Sequence, residues 1–444
     1  MRTNGTGWLA ATCAALAVAA SSGVAAAPGG AAPDAPARLD LAACLQRAHA
    51  AAPRLEELRA AMAEAAAAAD EAAARRLPAL GLGATYRYAS ESMESEISLA
   101  PGLPSRTLSF GDGHVADVNL ALSLPLYTGG ELSGTAAAAA AGSRAAALRA
   151  AAAAEDLGLA VRRAFYAALG RESQLAAAEL AAARLRRHVD EVAGALAAGA
   201  ASEEMRLRAV TRLREAEQRR TRAAAARDSA GVTLGRLVGL AGETVLPAGD
   251  LAASLFEDGV VPAAVGERPD LAALQAERAR QDHLAAAARG RLLPRIGGEL
   301  AAHYGRPGVD QLTNDWMSYA TAGVSLDWPL WDGGARSRRA AQAAARSLQA
   351  AARHRDLQEA VAAANAAARL DLAASREELD RATERAELAR RIGELVGARY
   401  ERADASESEY LDALDDVTAA DFELSLVRTR QRLAEASLLW TLGR

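Results

Sequence analysis

The sequence predicts a mainly α-helical chain that carries four membrane-length β-strands, all built from one duplicated unit. Three observations support this. A short stretch occurs twice: residues 122–130 read Leu-Ser-Leu-Pro-Leu-Tyr-Thr-Gly-Gly, and residues 326–334 read Leu-Asp-Trp-Pro-Leu-Trp-Asp-Gly-Gly. Each copy ends a run of alternating apolar residues, the period of a half-buried strand. Each copy also opens a very long run rich in Ala, Arg, Glu and Leu, residues that favour helix.

Each repeated stretch therefore marks a strand-to-helix junction. Pro125 and Pro329 close a strand where a missing N–H is tolerable. Tyr127 and Trp331 suit a boundary between apolar and wet layers. The pairs Gly129-Gly130 and Gly333-Gly334 let the backbone turn.

The chain start predicts a secretory signal peptide over residues 1–26. Arg2 supplies the charge, residues 8–20 the apolar core, and Val24-Ala25-Ala26 a small-residue cleavage site. Cys13 lies inside that signal, which leaves Cys44 without an intrachain disulfide partner. No later apolar run reaches the length of a membrane helix. Net charge is -5 with no large basic block, which argues against nucleic acid as a partner.

Residues 27–38, rich in Ala, Pro and Gly, read as a flexible leader. A helical pattern begins at Leu39 and is punctuated by Pro53. A second helix covers residues 55–76. The period then changes to two. Leu80, Leu82, Ala84, Tyr86 and Tyr88 share one face of a strand, and Gly81, Gly83, Thr85 and Arg87 the other. Residues 90–113 read as a polar loop. A second strand places Val118, Leu120, Leu122, Leu124 and Leu126 on its apolar face. After Gly130 comes helix over roughly 70 residues, which at about 1.5 Å per residue would reach roughly 100 Å. Leu185, Val189, Val192 and Leu196 form a coiled-coil seam. The break at Gly199-Ala200-Ala201-Ser202 offers Ser202 as an N-cap, and a return helix follows. This is the first repeat, residues 39–239. Residues 240–267 read as a linker.

The second repeat, residues 268–443, copies the first. Pro269 and Pro294 are spaced as Pro53 and Pro78 are. Pro125 and Pro329 lie 204 positions apart, as do Ser202 and Ser406, Leu207 and Leu411, and Gly239 and Gly443. Pro, Gly and aromatic positions carry this agreement, so Ala richness does not explain it.

Four strands of roughly 9–11 residues, each with one apolar face, have the length that crosses an outer membrane. A sheet in lipid must close, and four strands cannot enclose a lumen, so copies of the chain must associate in a ring.

The Arg268-Pro269-Asp270-Leu271 stretch, the Leu77-Pro78 and Leu293-Pro294 strand starts, the two Pro-Leu-aromatic-x-Gly-Gly junctions and the Tyr400-to-Asp412 stretch together resemble the TolC-like outer-membrane efflux proteins. The resemblance spans residues 39–443. It implies a homotrimer with a 12-stranded barrel in outer-membrane lipid and a long α-helical tunnel in the periplasm. It also implies an exit channel of a tripartite efflux or type I secretion system, with a periplasmic adaptor protein and an inner-membrane transporter as partners. The turns around Gly199, Ser202, Ala403 and Ser406 would be the adaptor-docking end. The family's turn glycine is Ala403 here. By the same resemblance, carboxylates at Glu409 and Asp412, with Tyr400 nearby, hold the periplasmic gate. Arg208 and Arg212 lie at matched depth to Asp412 and Asp416, and we expect them to supply the opposing positive charge.

A soluble periplasmic coiled-coil protein of the adaptor kind would explain the hairpins but not four strands with unbroken apolar faces. An enzyme is not expected, and neither a cofactor nor a metal. The histidines are scattered, with His188 read as part of a solvated helix face beside Arg186, Arg187 and Asp190. No His-x-x-x-His pair, phosphate loop or nucleophile elbow occurs. The acid pairs Glu203-Glu204 and Asp415-Asp416 read as helix surface charge.

Overall fold

The computed structural model describes residues 37–90, 93–97, 106–110, 113–256, 266–309 and 315–443. The residues expected to form the signal peptide, and nearly all of the expected leader, lie outside these. The chain runs β1 (Arg38–Leu39), α1 (Leu41–Ala51), α2 (Pro53–Ala74), β2 (Ala79–Tyr88), β3 (Met93–Ile97), β4 (Arg106–Phe110), β5 (His114–Tyr127), α3 (Glu131–Ala197), α4 (Glu203–Leu237), β6 (Leu246–Pro247), α5 (Pro269–Gly290), β7 (Arg295–Arg306), β8 (Met317–Asp327), α6 (Ala335–Glu401) and α7 (Glu407–Thr441).

The duplication holds at the level of element boundaries. Helices α3 and α6 are both 67 residues long, and α4 and α7 are both 35. Every boundary of the second long hairpin lies 204 positions after its counterpart. At about 1.5 Å per residue, each long helix spans about 100 Å. Gly130 and Gly334 take positive φ of 87° and 84° at the two N-caps, where L-residues are strained. Ser133 and Ser337 donate back to the carbonyls of Gly130 and Gly334, closing the first turn in the same way.

Three expectations need correction. The first helix starts at Leu41, not Leu39. Asp40 caps it by accepting from the Ala43 N–H at 2.7 Å, while Arg38 and Leu39 pair in parallel with Leu246 and Pro247. The stretch read as a polar loop contains an antiparallel hairpin, β3 with β4. Pro125 does not end its strand. Pairing of β5 with β2 stops at Ser123, but β5 continues to Tyr127 along β7, with a bulge between Pro125 and Tyr127. Proline without its N–H is tolerated there because β2 no longer needs a donor.

One sheet has the order β2-β5-β7-β8, antiparallel throughout. Register aligns the apolar positions into a continuous face. Leu80 lies opposite Leu122, Leu122 opposite Leu300, and Leu300 opposite Ala322. Neighbouring rows add Leu82, Leu120, Val118, Tyr304, Val324 and Leu326. The other face is polar. Its centre is Asp117, whose carboxylate lies 3.2 Å from His303 Nδ1 and accepts from the Asn119 amide at 3.0 Å. Tyr319 stacks on the His303 ring at 4.7 Å. The sheet is open, with β2 and β8 as edges.

The helices pack side by side. Helix α3 contacts α2, α4, α5 and α7, and α6 contacts α5 and α7. The main core gathers Cys44, Ala48, Val161, Phe165, Leu234, Val238 and Val245. The thiol of Cys44 is free and buried, and burial pushes its pKa up to about 11. The segment read as a linker is partly structural, since Val245, Leu246, Leu251 and Phe256 are buried. A buried ion pair holds it down. Arg432 donates to Glu435 at 2.5 Å and to the Leu251 and Ala252 carbonyls, and Glu435 accepts from Ser254 and the Leu255 N–H. Arg268 does the same for the start of α5. It pairs with Asp270 at 2.7 Å, donates to the Trp440 and Thr441 carbonyls and lies over the Trp440 ring.

Candidate functional site

The two turns lie at the same end of the long hairpins. In the first, Gly199 takes φ 77°. In the second, Ala403 takes φ 60° and is the one non-glycine residue at positive φ among those described. Alanine holds the second turn in the left-handed conformation that Gly199 takes in the first, at a steric cost of about 1–2 kcal/mol. Ser202 caps α4 by accepting from the Met205 N–H at 3.2 Å. Ser406 does so for α7 within a complete capping box, because Glu409 accepts from the Ser406 N–H at 2.8 Å. The Ser406 N–H and hydroxyl hold the Glu409 carboxyl below its usual range. Glu409, expected in the gate, is thus engaged as a cap in this conformation.

The expected opposition of charges is present but shifted. Arg208 turns to Glu204 on its own helix at 2.5 Å. Arg212 reaches across from α4 to α7, with Nη1 3.2 Å from Asp415 and Nη2 3.8 Å from Asp412. Arg219 adds a contact to Asp415 at 3.4 Å. Asp416 is exposed and makes no ion pair with either arginine. Asp416 lies four residues beyond Asp412, on the side of α7 turned away from α4. The position three residues on from Asp412 is the one that faces α4. Asp415 is therefore a cross-hairpin partner rather than plain surface charge.

The largest correction concerns His188. It is 1% exposed, not solvated. Its ring lies edge-on to Tyr400 at 5.6 Å and tilted against Tyr410 at 5.1 Å, and those two tyrosines stack on each other at 4.9 Å. His188 Nε2 is 3.6 Å from Glu407 Oε1, beyond hydrogen-bond reach, and neither ring nitrogen nor that oxygen has another partner. Burial lowers the His188 pKa, opposed by the charges of Glu407 and Glu191. Burial raises Tyr400, helped by the same two carboxylates. The cluster joins α3 of the first hairpin to α6 and α7 of the second. The sequence carried a signal for it: His188 follows Leu185 by three positions and precedes Val192 by four, both on the buried seam.

At the other end of the hairpins, Gly129, Gly130, Gly333 and Gly334 all take positive φ at the junctions, while Pro125 lies within β5 rather than at its end. Tyr127, Trp328, Leu330 and Trp331 are exposed where the sheet meets the helices. A belt of such side chains beside an apolar sheet face is the pattern of a membrane boundary.

The profile of the outer membrane efflux protein family matches residues 44–240 and 260–444. The chain belongs to that family. It is an outer-membrane protein of the TolC-like kind, with its helices forming the periplasmic part. The fold is shared with solved channels at low identity. The Campylobacter jejuni CmeC outer membrane channel is 16% identical with a TM-score of 0.75, covering 91% of this chain and 85% of that one. The Vibrio cholerae outer membrane protein VceC is 18% identical with a TM-score of 0.73, covering 91% and 96%. The open state of the Neisseria gonorrhoeae MtrE channel is 19% identical with a TM-score of 0.74, covering 91% and 88%. No curated protein sequence matches the chain.

Proposed function

We propose that this protein is the exit duct of a tripartite efflux or type I secretion system. Three copies close a 12-stranded barrel, and their helices form a tunnel reaching a periplasmic adaptor and an inner-membrane transporter. The observation that carries this reading is the open four-stranded sheet, apolar across one face and polar across the other, continued by helices about 100 Å long. Four strands cannot close on themselves, whereas three copies supply twelve, and lipid tolerates no unpaired edge. The polar face, with Asp117, Asn119 and His303, then lines water.

The turns around Gly199, Ser202, Ala403 and Ser406 are the end offered to the adaptor. The contacts that join the hairpins there, Arg212 with Asp412 and Asp415, and His188 under Tyr400 and Tyr410, hold that end closed. The test is reconstitution. Protein extracted from outer membrane should have the native mass of three chains and conduct stepwise in planar bilayers. Crosslinkers at Ala201 or Ala405 should capture the adaptor in the assembled system. Recovery as a soluble periplasmic monomer would instead support a coiled-coil adaptor.

A further inference from the structure

We propose that the free edge of β8 pairs with the free edge of β2 in a second copy of the chain in one defined register, with Ser325 opposite Thr85 of the next copy. This rests on the closed-barrel reading and adds the residue-level joint. Within the chain, the two strand hairpins have the same register. The pair Ala79–Ser123 becomes Arg295–Asp327, and Tyr88–His114 becomes Tyr304–Ser318, when the first strand shifts by 216 positions and the second by 204. The sheet is therefore one hairpin used twice, joined by the seam between β5 and β7. In that seam Ala121 faces Ala301, Leu122 faces Leu300 and Asn119 faces His303.

A ring with even spacing repeats the same joint between copies. The two shifts then place Ser325 opposite Thr85, Leu326 opposite Ala84, Val324 opposite Tyr86 and Gly323 opposite Arg87. The side chains fit this arrangement. Leu326, Val324 and Tyr86 are all more than 65% exposed in the single chain, and the pairing brings them together on the apolar face. On the polar face, Arg87 meets Gly323, where an added Cβ would touch nothing within 4 Å.

Other registers fare worse. A slip of one residue turns every apolar side chain to the wrong face. A slip of two keeps the faces but slides one copy about 7 Å along the strands. That slide would misalign α6 against the neighbouring α2, the counterpart of the α3–α5 contact made within the chain.

Paired cysteines test the register in detergent-extracted protein. Ser325→Cys is combined in turn with Thr85→Cys, Arg87→Cys and Gly83→Cys, and mild oxidation is followed on non-reducing gels. In one chain β2 and β8 are three strand spacings apart, about 14 Å, too far for an internal disulfide. Native Cys44 is buried and does not compete. The expected result is covalent dimers and trimers with Thr85→Cys and little product with the other two. A shifted pair giving the major product, or no pair linking while the native trimer persists, overturns the register. No linking together with a single-chain native mass overturns the barrel reading itself.

Discussion

Replacing Arg212 by Ala should make the closed end of the channel open more often. Arg212 reaches two carboxylates of the second hairpin, at 3.2 Å from Asp415 and 3.8 Å from Asp412, and Arg219 reaches Asp415 beside it at 3.4 Å. The arginine side chain is 38% exposed, Asp415 32% and Asp412 72%, so solvent screens both pairs. Measured exposed ion pairs are typically worth about 0.2–1 kcal/mol, and taking roughly 0.25–0.75 kcal/mol for each of these screened pairs gives roughly 0.5–1.5 kcal/mol per protomer for the two together. If three protomers open as a unit, the loss is about 1.5–4.5 kcal/mol per channel. With a tenfold change for every 1.4 kcal/mol, the open-to-closed ratio rises roughly ten- to a thousandfold. The assay is single-channel recording in planar bilayers at about 0.1 M salt, where charges are felt over about 10 Å, and again at 1 M, where the range falls to about 3 Å. The gain in open time should shrink at high salt. Reversing the four charges that face each other across the hairpins, with Arg212→Asp, Arg219→Asp, Asp412→Arg and Asp415→Arg, should restore part of the closure. Asp416→Arg is the control and should change little. An Arg212→Ala channel that gates like the parent at low salt, or whose gain is unaffected by salt, refutes the charge lock.

The remaining predictions concern the strands, the second turn and the buried histidine. Arg at Leu120, Leu122 or Val324 should cost up to about 2–4 kcal/mol towards the bilayer midplane, falling towards about 0–1 kcal/mol at Leu124 and Leu326 beside the Tyr127 and Trp328 boundary, whereas Arg at Ser123 or Ser325 should be tolerated; assembled trimer yield measures both, and equal tolerance counts against the assignment of faces. Ala403→Gly should stabilise the second turn by about 0.5–1 kcal/mol, because glycine takes positive φ without strain but loses more freedom on folding; slower proteolysis at the turn is the readout, and unchanged proteolysis contradicts the strain argument. His188 binds its proton less readily when buried than when free, so the tip should keep its protection above about 6.5, the free imidazole value, and lose it progressively as pH falls below that; hydrogen exchange of residues 185–192 and 400–412 reports it, and His188→Gln should flatten that dependence. Equal acid sensitivity in the variant places the titrating group elsewhere.

Much of the fold was legible because the chain states it twice. The Gly-Gly junctions, the Ser202 and Ser406 caps and the positions of Pro53, Pro78, Pro269 and Pro294 fixed both hairpins and all four long strands. The elements that were missed occur once or are very short. Strands β3 and β4 lie in the loop that is longer in the first copy, so no second copy confirmed them. The joint between β1 and β6 is two residues long, too short for any period to show. At the tip, charge type and depth were readable, but which carboxylate faces α4 depends on the azimuth of α7. That is why Asp415 replaces Asp416 as the partner of Arg212. His188 was misread because its sequence neighbours are charged. On a helix the buried stripe recurs every three to four positions, and Leu185 and Val192 place His188 on it although Arg184 and Glu191 stand at the same spacings.

In the proposed barrel one face of this sheet meets lipid and the other meets water. Single cysteines at residues 320–326 of β8, labelled with a membrane-impermeant maleimide in reconstituted channels, test it most directly. Thr321, Gly323 and Ser325 should label, while Ala320, Ala322, Val324 and Leu326 should not, a period of two along the strand. Uniform labelling of all seven positions would contradict the barrel.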